Sequence, residues 1–350
     1  MKSVRLSVFL FVVTFITSCN PLLLKNDVFN KEASIPEDEA LHKKNSLEWW
    51  YFTGHLYDKD SNEYGIEYVV FHFHPKDRKD HFLVNFAISD PQKQQFFYDY
   101  AFYNPKKKAE AGNLPLNLHF DQFQLRGQEG QYKIDATMKN NPIIAQLETI
   151  NTKEVLLHDG TGYEEYGSGR KAGYYSYTRL QTKGLLVLEK DTISVSGELW
   201  YDRQWNCGNV LKKRIGWDWM SIQLKEQKDD IMLYSFKDFG KKTITYGGSY
   251  YDESNNLISL EDEDIQMVPL DYWTSGVSRR KYPIKWKVTI SKIDAEFIVE
   301  AKMKHQELII RKTGLKLPYW EGMCDVRGTL RDKKVTGNAY LEMTSKKRKQ

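Results

Sequence analysis

SLEWWYFTGHL, running from Ser46 to Leu56, is the stretch from which the fold is read. With Tyr57 added, one face carries Glu48, Trp50, Phe52, Gly54 and Leu56, and the other Trp49, Tyr51, Thr53, His55 and Tyr57. That alternation has the period of a β-strand. The turn-forming run Asp58-Lys59-Asp60-Ser61-Asn62 ends it before a second strand begins near Tyr64. The pattern recurs down the chain between separators rich in Asp, Asn, Gly and Lys. Leu116 to Arg126 reads as one strand, and none is assigned between Tyr251 and Ile284. Short strands at this spacing predict an all-β antiparallel meander, as in sandwiches and barrels.

Composition points the same way. The 350 residues include 9 Trp, 22 Tyr and 17 Phe, 14% in all, while Ala is scarce; aromatics favour strands and Ala favours helices. The length suggests two domains, or one large single-core β-structure. A mean hydropathy of −0.62 excludes a polytopic membrane protein, and the aromatic content excludes general disorder.

An internal repeat divides the chain. WWYFTGHL, Trp49 to Leu56, aligns with WDWMSIQL, Trp217 to Leu224, at an offset of 168, and VSGELWYD, Val195 to Asp202, aligns with VTGNAYLE, Val335 to Glu342, at an offset of 140. Two matches in the same order predict a duplicated unit, with domains at 46–207 and 214–345. Each half would then have about eight or more strands, the number that closes a barrel around side chains or one small ligand.

The ends read differently. Residues 1–18 have the basic start, apolar run and small-residue ending of a secretory signal, leading into Cys19. The ending resembles a bacterial lipobox, which implies lipidation of Cys19 and attachment to a membrane of the cell envelope, the outer membrane foremost. Residues 19–45 read as a tether, and 346–350 as a basic tail. Removing the leader and the tail's four cations takes the net charge from +4 to −2, so no basic stripe marks the body and nucleic acid is not an expected partner. Cys207 and Cys324 are either bridged or two separate buried thiols.

Five motifs carry a family resemblance: SLEWWYFTGHL; GYYSYTRL, Gly173 to Leu180; SGELWYDRQW, Ser196 to Trp205; GWDWMSIQL, Gly216 to Leu224; and YWEG, Tyr319 to Gly322, with VTGNAYLEMT ending at Thr344. Together they resemble AttH-like proteins and carotenoid 1,2-hydratases (hydroxyneurosporene synthases). The resemblance implies two tandem lipocalin-like antiparallel β-barrels with a ligand site in or between them, and it supplies no metal and no cofactor. One departure stands out. The carotenoid hydratases carry Asp-His-Glu-Trp where this chain has Asp202-Arg203-Gln204-Trp205, which puts carotenoid hydration itself in doubt.

In strand register Glu198, Trp200, Asp202 and Gln204 share one face, and Leu199, Tyr201, Arg203 and Trp205 the other. A carboxylate among Trp rings is costly to bury ionised, so Asp202 is expected to take a raised pKa or a cationic partner, Arg179 or Arg203. Held protonated, Asp202 would donate the proton that hydration of an unactivated alkene requires, with Glu48 or Tyr177 in support. The faces of Trp50, Trp200, Trp217 and Trp219 would stabilise the carbocation, and Tyr177, Gln204 or Gln223 would hold the water. Tyr175, Trp320 and Glu321 join them as candidate ligand contacts. In the alternative, Asp202 and Arg203 form a structural pair at a barrel end.

His72 and His74 share a strand face and could bind a metal with His55 or His81, but structural histidines are the simpler reading. Gly160-Thr161-Gly162 and Gly167-Ser168-Gly169 read as a mobile loop over the first barrel, and no Gly-x-Ser-x-Gly elbow occurs. The chain is expected to bind a hydrophobic small molecule, isoprenoid- or polyketide-like, and to hydrate or isomerise it, or else to carry or sense it; a scaffold is the third reading. Enzyme and carrier both require an apolar cavity, on the order of several hundred Å³.

Overall fold

The computed structural model describes residues 32–42, 47–73, 81–103, 114–165, 171–207, 215–238, 243–312 and 315–344. Cys19, His74, Gly167-Ser168-Gly169 and the basic tail lie outside them. Among the described residues, the first half contains twelve strands and the second ten. β1 (Leu47–Tyr57), β2 (Glu63–Phe73), β3 (His81–Asp90) and β4 (Gln95–Tyr103) form a meander. They are followed by β5 (Leu116–Phe120), β6 (Phe123–Gln128), β7 (Gln131–Thr137), β8 (Ile143–Asn151), the short β9 (Leu156–Leu157) and β10 (Tyr163–Glu165), and the long β11 (Lys171–Leu188) and β12 (Asp191–Trp205). Those of the second half are β13 (Ile215–Leu224), β14 (Asp230–Asp238), β15 (Thr243–Tyr251), β16 (Leu257–Leu260), β17 (Ile265–Thr274), β18 (Lys281–Ile290), β19 (Ala295–Ala301), β20 (Glu307–Lys312), β21 (Leu315–Leu330) and β22 (Lys333–Met343).

Each half makes one antiparallel sheet. The orders are β4-β3-β2-β1-β12-β11-β8-β7-β6-β5 and β16-β15-β14-β13-β22-β21-β19-β18-β17, with β9 and β10 joining β11, and β20 joining β21. The first sheet curls until its edges meet: the Tyr103 ring stacks on Phe120 at 4.9 Å and its hydroxyl donates to the Phe120 carbonyl at 3.2 Å.

The two sequence matches fall on equivalent strands. β1 lies beside β12 as β13 lies beside β22, and the register agrees pair for pair: Tyr51 opposite Asp202 corresponds to Trp219 opposite Glu342, and Leu56 opposite Gly197 to Leu224 opposite Gly337. The alignment of sequence patterns is therefore an alignment of positions in space.

Alternation along the strands creates two environments. On β1, Trp50, Phe52 and Leu56 point into the first barrel, where Phe52, Tyr132 and Tyr201 pack with ring centroids 4.6–5.3 Å apart. Full burial of each such side chain contributes about 1.5–3 kcal/mol. The opposite face of β1, with Tyr51, Thr53 and His55, packs against the second barrel and forms a seam with it. The second interior is built around Ile222, Tyr282, Phe297 and Trp320. Gly173 explains one motif: its partner across the ladder is Trp205, and a Cβ there would collide with the indole.

Residues 32–42, within the stretch read as a tether, pack across the mouth of the first barrel. Glu39 is buried beside Tyr132, the Trp50 indole donates to the Glu39 carbonyl at 2.9 Å, and His42 stacks on Trp205. Among the described residues no helix is long and apolar enough to cross a membrane. Cys207 and Cys324 are separate buried thiols, not bridged.

Candidate active site

The seam holds a cavity of about 120 Å³. Aromatic rings wall it, among them Trp49, Tyr51, Tyr174, Trp217, Trp219 and Tyr319, and its polar lining includes Asp202, Gln204 and Glu342. It is smaller than the several hundred Å³ expected and near the roughly 150 Å³ that holds a benzene ring, so it suits one ring or prenyl-sized group. The lumen of the first barrel is occupied by its own aromatic side chains and by Glu39.

Asp202 reaches the seam because it alternates with Tyr201 and Arg203, which point inward. Three donors converge on it: the Tyr174 hydroxyl at 2.7 Å, the Ser176 hydroxyl at 2.5 Å and the Trp200 indole at 2.6 Å. The Trp219 indole donates to the Tyr174 oxygen at 3.0 Å, which turns the tyrosine's proton towards Asp202. His158 stands behind Ser176, its Nε2 2.8 Å from the serine oxygen and its Nδ1 2.9 Å from Ser249. Burial pushes this imidazole down to about 3 and keeps it neutral. With Ser176 donating to Asp202, Nε2–H donates to Ser176 and Nδ1 accepts from Ser249.

Among the described residues, no cation meets Asp202. Burial raises its pKa to about 6 against the three hydrogen bonds, which favour the ionised form. Glu342 goes higher, to about 7: burial dominates, the Trp217 indole opposes it, and the charge of Asp202 adds to it. Glu321, opposite Glu342 on β21, and Glu67 on β2 are pushed well above the carboxylate range by burial and by neighbouring carboxylates. Tyr51 donates to Glu321 at 2.8 Å.

Of the sequence candidates, Asp202, Gln204, Trp217 and Trp219 line the cavity, and Trp200 and Glu321 stand beside it. The others serve elsewhere. The pairing of Asp202 with Arg203 is not formed, because successive residues of β12 face opposite ways. Arg203 is fully buried in the first barrel, 2.5 Å from Glu48 and 4.2 Å over the Trp50 ring. It also donates to the carbonyls of Asp38 and Ala40, fastening residues 32–42. Burial would raise Glu48, but Arg203, His42 and His72 hold it well below the carboxylate range. Glu48 therefore remains ionised and lies on the inward face, away from the cavity. Tyr175 and Tyr177 also point inward.

Arg179 binds Asp230 at 2.8 Å, Glu198 at 2.7 Å and the Leu224 carbonyl, joining the barrels at the seam's rim. Gln223 donates to the Thr178 carbonyl, and Trp320 sits in the second interior with its indole on the Lys304 carbonyl. His72 is held by Glu48 and His55 by Glu63, on opposite faces of their strands, so they do not converge on one point.

Sequence reasoning missed Glu342, Tyr174, Ser176 and His158. For Glu342 a signal existed: the repeat lays it on Asp202.

The fold has relatives among solved structures. A protein of the AttH kind from Nitrosomonas europaea aligns with a TM-score of 0.79 and 22% identity over 90% of this chain and 97% of that one. Kievitone hydratase from Nectria haematococca aligns at 0.71 and 16% over 90% and 93%. CghA with Sch210972 aligns at 0.56 and 10% over 86% and 88%. No curated protein matches the chain in sequence. The profile of the AttH-like family spans residues 28–346, the two halves and the seam between them, and the chain belongs to that family.

Proposed function

We propose that this protein binds a hydrophobic small molecule, isoprenoid- or polyketide-like, and hydrates or isomerises one of its carbon–carbon double bonds in the seam. One observation carries the reading: two carboxyl groups with raised pKa values, at about 6 and about 7, face the same aromatic cavity. Between those values the pair holds about one proton and titrates as a unit. The donors around Asp202 favour its ionised form, so Glu342 is the acid and Asp202 the base; the sequence alone puts the acid at Asp202.

Glu342 gives its proton to one alkene carbon, the π electrons form the new C–H bond, and positive charge develops on the neighbouring carbon beside the Trp217 and Trp219 faces. Asp202 accepts a proton from water as the water oxygen attacks. Removal of a different C–H proton gives the isomer instead. In both cases one proton is given and one gained. The fold shared with kievitone hydratase supports the hydration branch.

Ligand identified by mass spectrometry in protein from its native host, then returned to the enzyme in heavy-oxygen water, is expected to gain one labelled water. Isomerisation would instead incorporate deuterium from heavy water without that gain. Asp202→Asn and Glu342→Gln should each slow turnover by about 100-fold or more. Ligand returned unchanged by the wild type would refute the enzyme and leave the carrier, which the three protein donors already on Asp202 favour. We also propose that lipid on Cys19 tethers the chain to the envelope. Cys19→Ser should then move it from the membrane pellet to the soluble fraction, and persistence in the pellet would refute the anchor.

A further inference from the structure

The seam is polar behind the cavity wall. Tyr51 and Tyr319 present their rings to the cavity, while their hydroxyls meet Glu321 and the Asn85 amide. Nearby, Thr53 and Glu67 face each other across β1 and β2, and the carboxyl groups of Glu321 and Glu67 are electrostatic neighbours of the Tyr340 hydroxyl of β22. All four side chains are at most 1% exposed. The region is closed further along the strands. There Gly65 lets Met323 approach so closely that an added Cβ would meet its sulfur at 2.8 Å, and His55 binds the Ala339 carbonyl at 2.9 Å.

Among the described residues, neither oxygen of Glu67, nor the Thr53 or Tyr340 hydroxyl, nor the Asn85 side-chain carbonyl has a protein hydrogen-bond partner. Native interiors rarely leave such groups unpaired, and polar sites of this kind hold internal water. A buried water makes about three hydrogen bonds, so about two waters would satisfy these atoms. Burial keeps Glu67 protonated, so its carboxyl offers one donor and one acceptor, a match for water rather than for a cation.

We infer that the seam holds a cluster of internal water bound by Thr53, Glu67, Asn85 and Tyr340, and that this cluster stores the water consumed in the addition. The supply role rests on the hydration reading; the binding site does not.

A high-resolution crystal structure of the full chain should show ordered water within hydrogen-bond distance of Glu67 and Tyr340. Magnetic relaxation dispersion of water oxygen should count about two fewer long-lived waters in Glu67→Leu and no change in Glu67→Gln. If circular dichroism shows that Glu67→Leu does not fold, Thr53→Val and Tyr340→Phe replace it, with at least one long-lived water lost. An unchanged count in the folded variants, or a crystal structure in which these groups bond to one another, overturns the site. For the supply role, Glu67→Leu should lower kcat and leave ligand affinity unchanged. If the wild type incorporates no heavy oxygen while the ordered waters are present, the supply role falls and the site stands.

Discussion

Asp202 and Glu342 occupy the same register in the two halves and open onto one cavity, yet the halves surround them differently. Asp202 receives three hydrogen bonds from its own half, whereas Glu342 faces another carboxyl, Glu321, with the Trp217 indole opposing the rise that burial causes. The next residue differs as well: Arg203 carries a charge into the first barrel, where Met343 packs in the second. Backbone register thus decides where a carboxyl group stands, and its donors decide how tightly it holds a proton.

The strongest way to break this comparison is to make the first half resemble the second. Arg203→Met leaves Glu48 in a dry interior without its guanidinium partner, with only its His42 and His72 contacts left, and should cost about 3–5 kcal/mol in urea unfolding. Combined with Glu48→Gln it should recover much of that loss. Recovery would show that the pair closes the barrel mouth; an equally large loss in the double variant would assign the effect to Arg203's carbonyl contacts.

A smaller effect separates the seam from the lumen by pH. Asp202 and Glu342 are raised in the folded state, so their contribution is fully present below their unfolded values near pH 4. It is lost as pH rises through about 6 and 7, roughly 3 kcal/mol for each group. Glu48 is lowered and acts in the opposite sense, its contribution lost as pH falls below its unfolded value. Asp202→Asn should therefore gain stability relative to wild type between pH 4 and 7 in parallel denaturation curves. A constant difference across that range would contradict the raised pKa.

The smallest change tests the donors. Tyr174→Phe removes one of the three bonds to Asp202 and should move the acid limb of the rate profile upward by about half to one pH unit. An unmoved limb would mean that Asp202 does not set it.

Much of the architecture was legible because alternation is a strong signal. β1 ends at Tyr57 as the pattern predicts, and the repeat located β12 and β22. Leu116 to Arg126 proved to be two strands, split where Asp121 turns with a φ of 40°. β17 was missed because Pro269 argues against a strand; it lies at the sheet's edge, where a missing N–H is tolerated and the register shifts around the proline.

At the site, the face shared by Trp200, Asp202 and Gln204 was readable, and the same parity places Arg203 away from it. His158 gave no signal, since it arrives on a short turn, His158–Gly160, whose position depends on contacts with Ser176 and Ser249.

The shared register has a further consequence. Tyr51 touches its own counterpart, Trp219, edge to face at 5.4 Å, and the counterparts Asp202 and Glu342 open onto one cavity. Contacts between counterparts are what an isologous interface places beside its two-fold axis. Two identical chains meeting in this way would give both carboxyl groups identical surroundings, because every substitution would act twice. Joined in one polypeptide, the halves can vary separately, and broken symmetry is what allows an acid and a base to stand side by side.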